Sequence, residues 1–287
     1  MRVAIVGVGG LGGILAGMLS RAGHEVVAIA RGEHLAAIAR DGLRIESEKL
    51  GTFTARVQAT SDLSGAEGAG AIIIAVKTWQ LADLAGRLPK ARIVLPLQNG
   101  VDAADVLPGS IPGACFVFSW IGAPGVIQHK GLAPRVLAGP GAEDLCDALR
   151  SAGVDAQVVT DIRATLWEKL LFVEPFGAVG AASRSPAGVI REVPETRNLL
   201  ERAMREVEAV ARGHQIAVAN DAVAAALARV DLLPPDSTSS MQRDLRDGRR
   251  SELHELTGAV VRHGRAAGIP TAVHDFLYAC LLPQHHG

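Results

Sequence analysis

The run Val3-Ala4-Ile5-Val6-Gly7-Val8-Gly9-Gly10-Leu11-Gly12 decides how the rest of the chain is read. Four consecutive apolar residues, mostly β-branched, read as a short strand buried on both faces. The glycines that follow have the spacing G-x-G-x-x-G and stand between that strand and a helical pattern over Leu11–Ala22. Each glycine has a physical purpose there. The first permits the tight turn, the second lets the backbone approach a pyrophosphate, and the third lets helix and strand pack closely. The N–H groups at such a helix start, reinforced by the helix dipole, favour a negative group. Gly7, Gly9, Gly10, Leu11 and Gly12 are therefore candidate dinucleotide-binding residues.

Outward from this point, short apolar runs alternate with helical stretches. Val26–Ala30, Ala71–Val76, Ile93–Leu95 and Cys115–Phe118 read as further parallel strands, and His34–Arg40 as a helix. The alternation predicts an α/β fold of Rossmann type with a doubly wound parallel sheet. Ile127–Leu137 reads as additional strand material in an antiparallel hairpin. Near Asp161 the character changes. Leu166–Phe172 leads a long apolar helix, and Pro194–Gly213 is amphipathic. Asp221–Val230, Ser239–Arg246 and Glu252–Ala267 read as three more helices. The expected division is a dinucleotide-binding domain over 1–162 and an all-helical domain over 163–287. The tail Pro283–Gly287 reads as frayed, with His285-His286 a chain end rather than a metal site.

The second strand discriminates between cofactors. It ends Val27-Ala28-Ile29-Ala30-Arg31, with no acid at Ala30 to hold the ribose hydroxyls of NAD. A guanidinium at Arg31 can pair with the 2′-phosphate of NADP. The third run ends Val76-Lys77 and the fourth ends Gln98-Asn99-Gly100, so polar side chains stand at the strand ends where open α/β sheets bind ligands.

Composition narrows the class. The chain has 287 residues, 48% of them hydrophobic, and a formal net charge of −1. That balance gives no electrostatic footprint for nucleic acid or an anionic membrane. No run of 18 apolar residues suggests a membrane span, and the start lacks the pattern of a signal peptide. Cys115, Cys146 and Cys280 fit neither a zinc site nor a disulfide framework, so no metal is expected and a reducing cytoplasm is the natural compartment. The basic run Arg243–Arg250, interleaved with Asp244 and Asp247, reads as a solvated helix face.

Taken together, Gly7–Gly12 with Arg31, Val76-Lys77-Thr78-Trp79-Gln80, Gln98-Asn99-Gly100, Trp167-Glu168-Lys169-Leu170, Ser239–Asp244 and Ser251-Glu252 form an ordered set along nearly the whole chain. The set resembles the ketopantoate reductase family. The resemblance implies a Rossmann domain followed by a helical substrate and dimerisation domain of the 6-phosphogluconate-dehydrogenase type. It implies hydride transfer from NADPH to the ketone carbon of a small 2-oxo acid, by a possible homodimer. It places the catalytic lysine on Lys169, a partner glutamate on Glu252, a substrate-binding serine on Ser240, and Asn99 between nicotinamide and substrate. Lys77 and Gln80 fall on cofactor-side positions. The residues alone leave alternatives. Lys169 also reads as a snorkelling helix lysine, and Ser251 with Glu252 as the cap and acidic first turn of the last long helix.

The sequence also departs from the family pattern. Asparagines are expected one and two turns after the lysine, and here Val173 and Gly177 stand at those places. Glu174-Pro175 follows Val173, where proline is expected to disrupt a helix. These departures open a second reading, a reductase of a less polar keto acid. A third reading, a noncatalytic NADP(H)-binding sensor, has no use for a proton donor at Lys169.

Overall fold

The computed structural model describes residues 1–285 and resolves the chain into two compact units. One comprises Met1–Gln98 and Asp102–Ile162, the other Asn99–Val101 and the chain from Arg163 onward.

The first unit is built on a five-stranded, wholly parallel sheet of β1 (Arg2–Val6), β2 (Glu25–Ile29), β5 (Gln58–Thr60), β6 (Ala71–Ile74) and β7 (Ile93–Pro96), in the order β5-β2-β1-β6-β7. Strand alternation explains why it is covered on both faces. Val3, Ile5, Ala71 and Ile73 enter one core, while Ala4, Val6, Ile72 and Ile74 enter another. Full burial of each Val or Ile contributes about 1.5–3 kcal/mol, which makes these runs the anchor of the unit. Helices α1 (Gly10–Arg21), α2 (Gly32–Asp41), α3 (Ala103–Val106) and α4 (Glu143–Ser151) complete it, with 3-10 turns at Leu63–Ala66, Thr78–Gln80 and Ala82–Leu84.

A second sheet was not legible as such in the sequence. It joins β3 (Leu43–Ser47), β4 (Gly51–Ala55), β8 (Gly113–Ala123), β9 (Val126–Ala138) and β10 (Asp155–Val158). Cys115–Phe118, expected in the parallel sheet, lies instead in β8, antiparallel to β9 around a Pro124-Gly125 turn. Its outer half is exposed at Phe118, Trp120 and Ile121, as a strand sandwiched between helices would not be. The expected hairpin over Ile127–Leu137 is formed, with β8 as its other arm.

The second unit is all-helical: α5 (Ile162–Ser183), α6 (Ala187–Glu192), α7 (Pro194–Gly213), α8 (Ala222–Asp231), α9 (Ser240–Arg246), α10 (Thr257–Ala267) and α11 (Ala272–Leu281). Four expectations need correction. Helix α5 continues through Pro175, where proline was expected to disrupt it. The lost ladder bond to Leu171 is offset by burial of Phe176, Ala178 and Val179 in the helical core. The helix expected from Glu252 begins only at Thr257, and Ser251 caps nothing, its hydroxyl pairing with His285 Nδ1 at 3.0 Å. The charged run is only partly a helix face, because α9 ends at Arg246 and Arg243 is half-buried, donating to the Thr238 carbonyl at 2.6 Å. Of the tail, Leu282–Gln284 forms a 3-10 turn rather than a frayed end, while His286 and Gly287 lie outside the described residues.

Candidate active site

In the parallel sheet, β1 lies between β2 and β6, so the order in which strands are added reverses at β1, with β2 on one side and β6 on the other. A crevice at the carboxyl ends of the strands belongs at that switch point. Gly7 leaves β1 there with φ +95°, and a β-carbon on it would stand 2.6 Å from Val76 N, so both conformation and space demand glycine. A β-carbon on Gly12 would stand 2.0 Å from the Gly7 carbonyl oxygen, and one on Gly10 would stand 2.3 Å from that of Ser119. Gly9 is different. It caps α1 with φ −75° and no side-chain bond, and a β-carbon on it would meet no protein atom within 4 Å. Neither strain nor packing requires glycine at position 9. The space beside the N–H groups of α1 is open, and its donor chemistry suits an anionic group such as a pyrophosphate. Leu11 packs against the core from the first turn.

The neighbouring strand ends share this rim. Arg31 is exposed at the start of α2, two residues past β2, with Glu33 in the same first turn. Lys77 follows β6 and is half-buried, its ammonium 5.6 Å from the Trp79 ring centroid. Gln80 accepts from the Lys77 backbone N–H at 3.2 Å, which gives its amide a turn-forming role. Gln98, just past β7, is buried and donates to the carbonyls of Ile74 and Val76 at 3.1 and 2.9 Å. It pins the end of β6, a role the sequence signalled only through its place beside Asn99. His34 was also missed. Its Nδ1 accepts from the Gly125 N–H at 2.9 Å, tying α2 to the β8–β9 turn, and burial lowers its pKa.

The helical unit holds the other candidates. Lys169 is 5% exposed on α5, and Val173 and Gly177 follow on the same face at i+4 and i+8. The start of α9 stands over that face. Ser239 Oγ and Met241 Cε are each 3.1 Å from where a Gly177 β-carbon would be. Ser239 caps α9 by accepting from Gln242 N–H at 3.0 Å, leaving Ser240 exposed as the first helical residue. Gln242, itself buried, donates to the carbonyls of Gly180 and Ser185 at 3.0 Å each and locks the two helices together. Glu252 is buried in the turn before α10. A β-carbon on Gly100 would lie 3.2 Å from the Glu255 carbonyl, so the Asn99–Val101 segment is seated against that turn. Burial, then the charge of Glu252, pushes the Glu255 carboxyl pKa up.

Glu174, whose direction the sequence left open, does not join the Lys169 face. It is fully buried and meets Nε2 of His274 on α11. No group of three or more possible metal ligands occurs among the described residues, and all three cysteines are free thiols.

The profile described as "Ketopantoate reductase PanE/ApbA" matches residues 3–142, and that of the family's C-terminal part matches 161–284. The chain belongs to the ketopantoate reductase family. It is similar to the 2-dehydropantoate 2-reductase of Halobacterium salinarum, 31% identical over 95% of each chain. It also resembles the crystal structure of a PanE/ApbA family ketopantoate reductase from Ralstonia eutropha JMP134, with a TM-score of 0.92, 33% identity, and 99% of this chain and 98% of that one covered. A D-mandelate dehydrogenase in complex with NADH and anilino(oxo)acetate shares the fold at a TM-score of 0.86 and 22% identity, covering 99% of this chain and 98% of that one. The chain is accordingly an oxidoreductase with a nicotinamide cofactor, and the cofactor of its family is NADP(H). The sensor reading falls away. No helix among the described residues is long and apolar enough to cross a membrane.

Proposed function

We propose that this protein is an NADPH-dependent reductase of a 2-oxo acid, with 2-dehydropantoate, reduced to pantoate, as the first substrate to test. The observation that carries the reading is a lysine buried to 5% exposure on the α5 face covered by the start of α9. NADPH, when bound, supplies the hydride that adds to the ketone carbon. The chain's own work is to bind, orient and move a proton. Gly7, Gly9, Gly10, Leu11 and Gly12 present backbone N–H groups to the pyrophosphate, and Arg31 pairs with the 2′-phosphate. Lys77 and Gln80 line the cofactor side, and Asn99 spans nicotinamide and substrate. Ser240 holds the substrate carboxylate. Lys169 stabilises negative charge growing on the ketone oxygen and delivers the proton that completes the hydroxyl. Glu252 orients substrate and lysine. The free thiols suit a reducing cytoplasm, and a homodimer is the expected assembly.

The experiment is NADPH oxidation by the purified protein against a panel of 2-oxo acids. Turnover of 2-dehydropantoate above all others is the expected result, and no turnover of any member would overturn the reading. A second reading keeps the chemistry and changes the substrate to a less polar keto acid. It is favoured by half-buried Val173 beside Lys169 and by Met241 over Gly177. Preference for a branched or aryl 2-oxo acid in the same panel would select it.

A further inference from the structure

Three helices of the second unit meet in a buried chain of charges. Glu174 of α5 and His274 of α11 are fully buried, and Glu174 Oε2 stands 2.7 Å from His274 Nε2. The other ring nitrogen, Nδ1, stands 2.7 Å from Oε2 of Glu206 on α7. Glu206 also accepts from the N–H groups of Val273 and His274 at 2.8 and 3.0 Å, capping α11 where Thr271 makes no side-chain cap. Two ionised carboxylates can only accept, so an imidazole between them donates from both nitrogens and is an imidazolium. The set then carries one net negative charge in the protein interior. Replacing such a set by apolar side chains is commonly neutral or stabilising, so stability alone is a poor reason for keeping it.

Its position suggests the reason. Glu174 immediately precedes Pro175, where α5 lacks a ladder bond, and lies five residues after Lys169, or about 7.5 Å of helical rise. We infer that Glu174, His274 and Glu206 form a positioning set for Lys169. They tie α5 to α7 and α11 at its weakest rung and place a buried negative charge in the helix that carries the lysine. A negative charge nearby favours the ammonium form, the form that can give up a proton. The charged groups that act on His274 are Glu174 from α5 and Glu206 from α7. Arg265 of α10 pairs with Asp275 instead.

The inference rests on Lys169 being the proton donor, and the two can fail separately. In Glu174→Gln the shape is kept and the charge removed. The expected result is a roughly tenfold lower kcat, less than a twofold change in KM, and an alkaline limb of kcat moved down by about half a pH unit or more. NADPH affinity by fluorescence titration should not change. If Glu174→Gln folds poorly, the double variant Glu174→Leu/His274→Leu removes the fully buried ion pair, leaves Glu206 to cap α11, and is expected to fold. The same losses are then expected. A variant with a shifted melting temperature but wild-type kcat and alkaline limb would overturn the positioning role. Full activity in Lys169→Ala would instead overturn the reading on which it stands.

Discussion

Met241 Cε lies 3.1 Å from the position a β-carbon on Gly177 would occupy, so the place where the family pattern expects an asparagine is already filled from α9. Inserting a side chain at Gly177 therefore overpacks a close helix–helix contact. Gly177→Asn should destabilise the protein by about 1–3 kcal/mol, read as a lowered urea midpoint. Val173 is half-buried on the same face, so a polar side chain there keeps access to solvent. Val173→Asn should leave the midpoint nearly unchanged and shift kcat/KM toward more polar 2-oxo acids. Equal stability of the two variants would contradict this account of α5 and α9.

Gly9 and Gly7 should separate cofactor binding from folding. A methyl group at Gly9 meets no protein atom within 4 Å. Gly9→Ala should cost no more than about 1 kcal/mol of stability, the scale of an N-cap change. NADPH affinity, by fluorescence titration, should fall at least tenfold because the methyl occupies the space of the pyrophosphate. Gly7→Ala should instead lower stability, since the residue sits at φ +95° with Val76 N 2.6 Å from the new carbon. Unchanged NADPH affinity in Gly9→Ala would remove the glycine loop from the cofactor site.

Arg31 is exposed at the start of α2 with Glu33 two residues on. A charge-assisted bond to a 2′-phosphate is worth about 1.5–3 kcal/mol. Arg31→Asp should thus lower NADPH preference over NADH by roughly 10- to 100-fold, measured as a ratio of kcat/KM values. The wild-type preference should also weaken with salt, because the contact is solvent-exposed. A ratio unmoved by the substitution would assign the ribose end to other residues.

Much of this was legible in the sequence because it depends on local pattern. The glycine loop, the apolar strands and the amphipathic Pro194–Gly213 helix follow from spacing alone. The second sheet was not legible because β3 and β4 are short, β4 is largely exposed, and β3 joins the sheet only by pairing with β9, about eighty residues on. Glu174 could be singled out but not oriented. Its partner His274 is one hundred residues away on α11, a helix that sequence reading did not separate from the chain end. The disruption expected at Pro175 did not follow for a related reason. Proline propensity is local, whereas the burial that keeps α5 continuous is tertiary.

Lys169→Ala tests the proposed chemistry directly. Removing a positioned acid–base group lowers turnover by about 10²–10⁴. Cofactor affinity should be retained, since the glycine loop and Arg31 lie in the other unit. Near-normal turnover at neutral pH would take Lys169 out of the mechanism and return it to the role of a buried helix lysine.

The buried histidine predicts how stability depends on pH. The Glu174 and Glu206 carboxylates overcome the effect of burial and raise the His274 pKa from 6.5 to about 9. A group whose pKa is raised on folding contributes stability fully below its unfolded value and loses it as pH rises through the folded one. The contribution should therefore be complete below about pH 6.5 and fade across pH 6.5 to 9. A rise of that extent corresponds to a contribution on the order of 3 kcal/mol. The depressed pKa of Glu206 reports the same interaction from its partner and adds nothing separate on the alkaline side. Urea midpoints measured from pH 6 to 10 should fall steadily through this window, and in the Glu174→Leu/His274→Leu variant the slope should flatten. An equal slope in both proteins would show that His274 is neutral in the folded state.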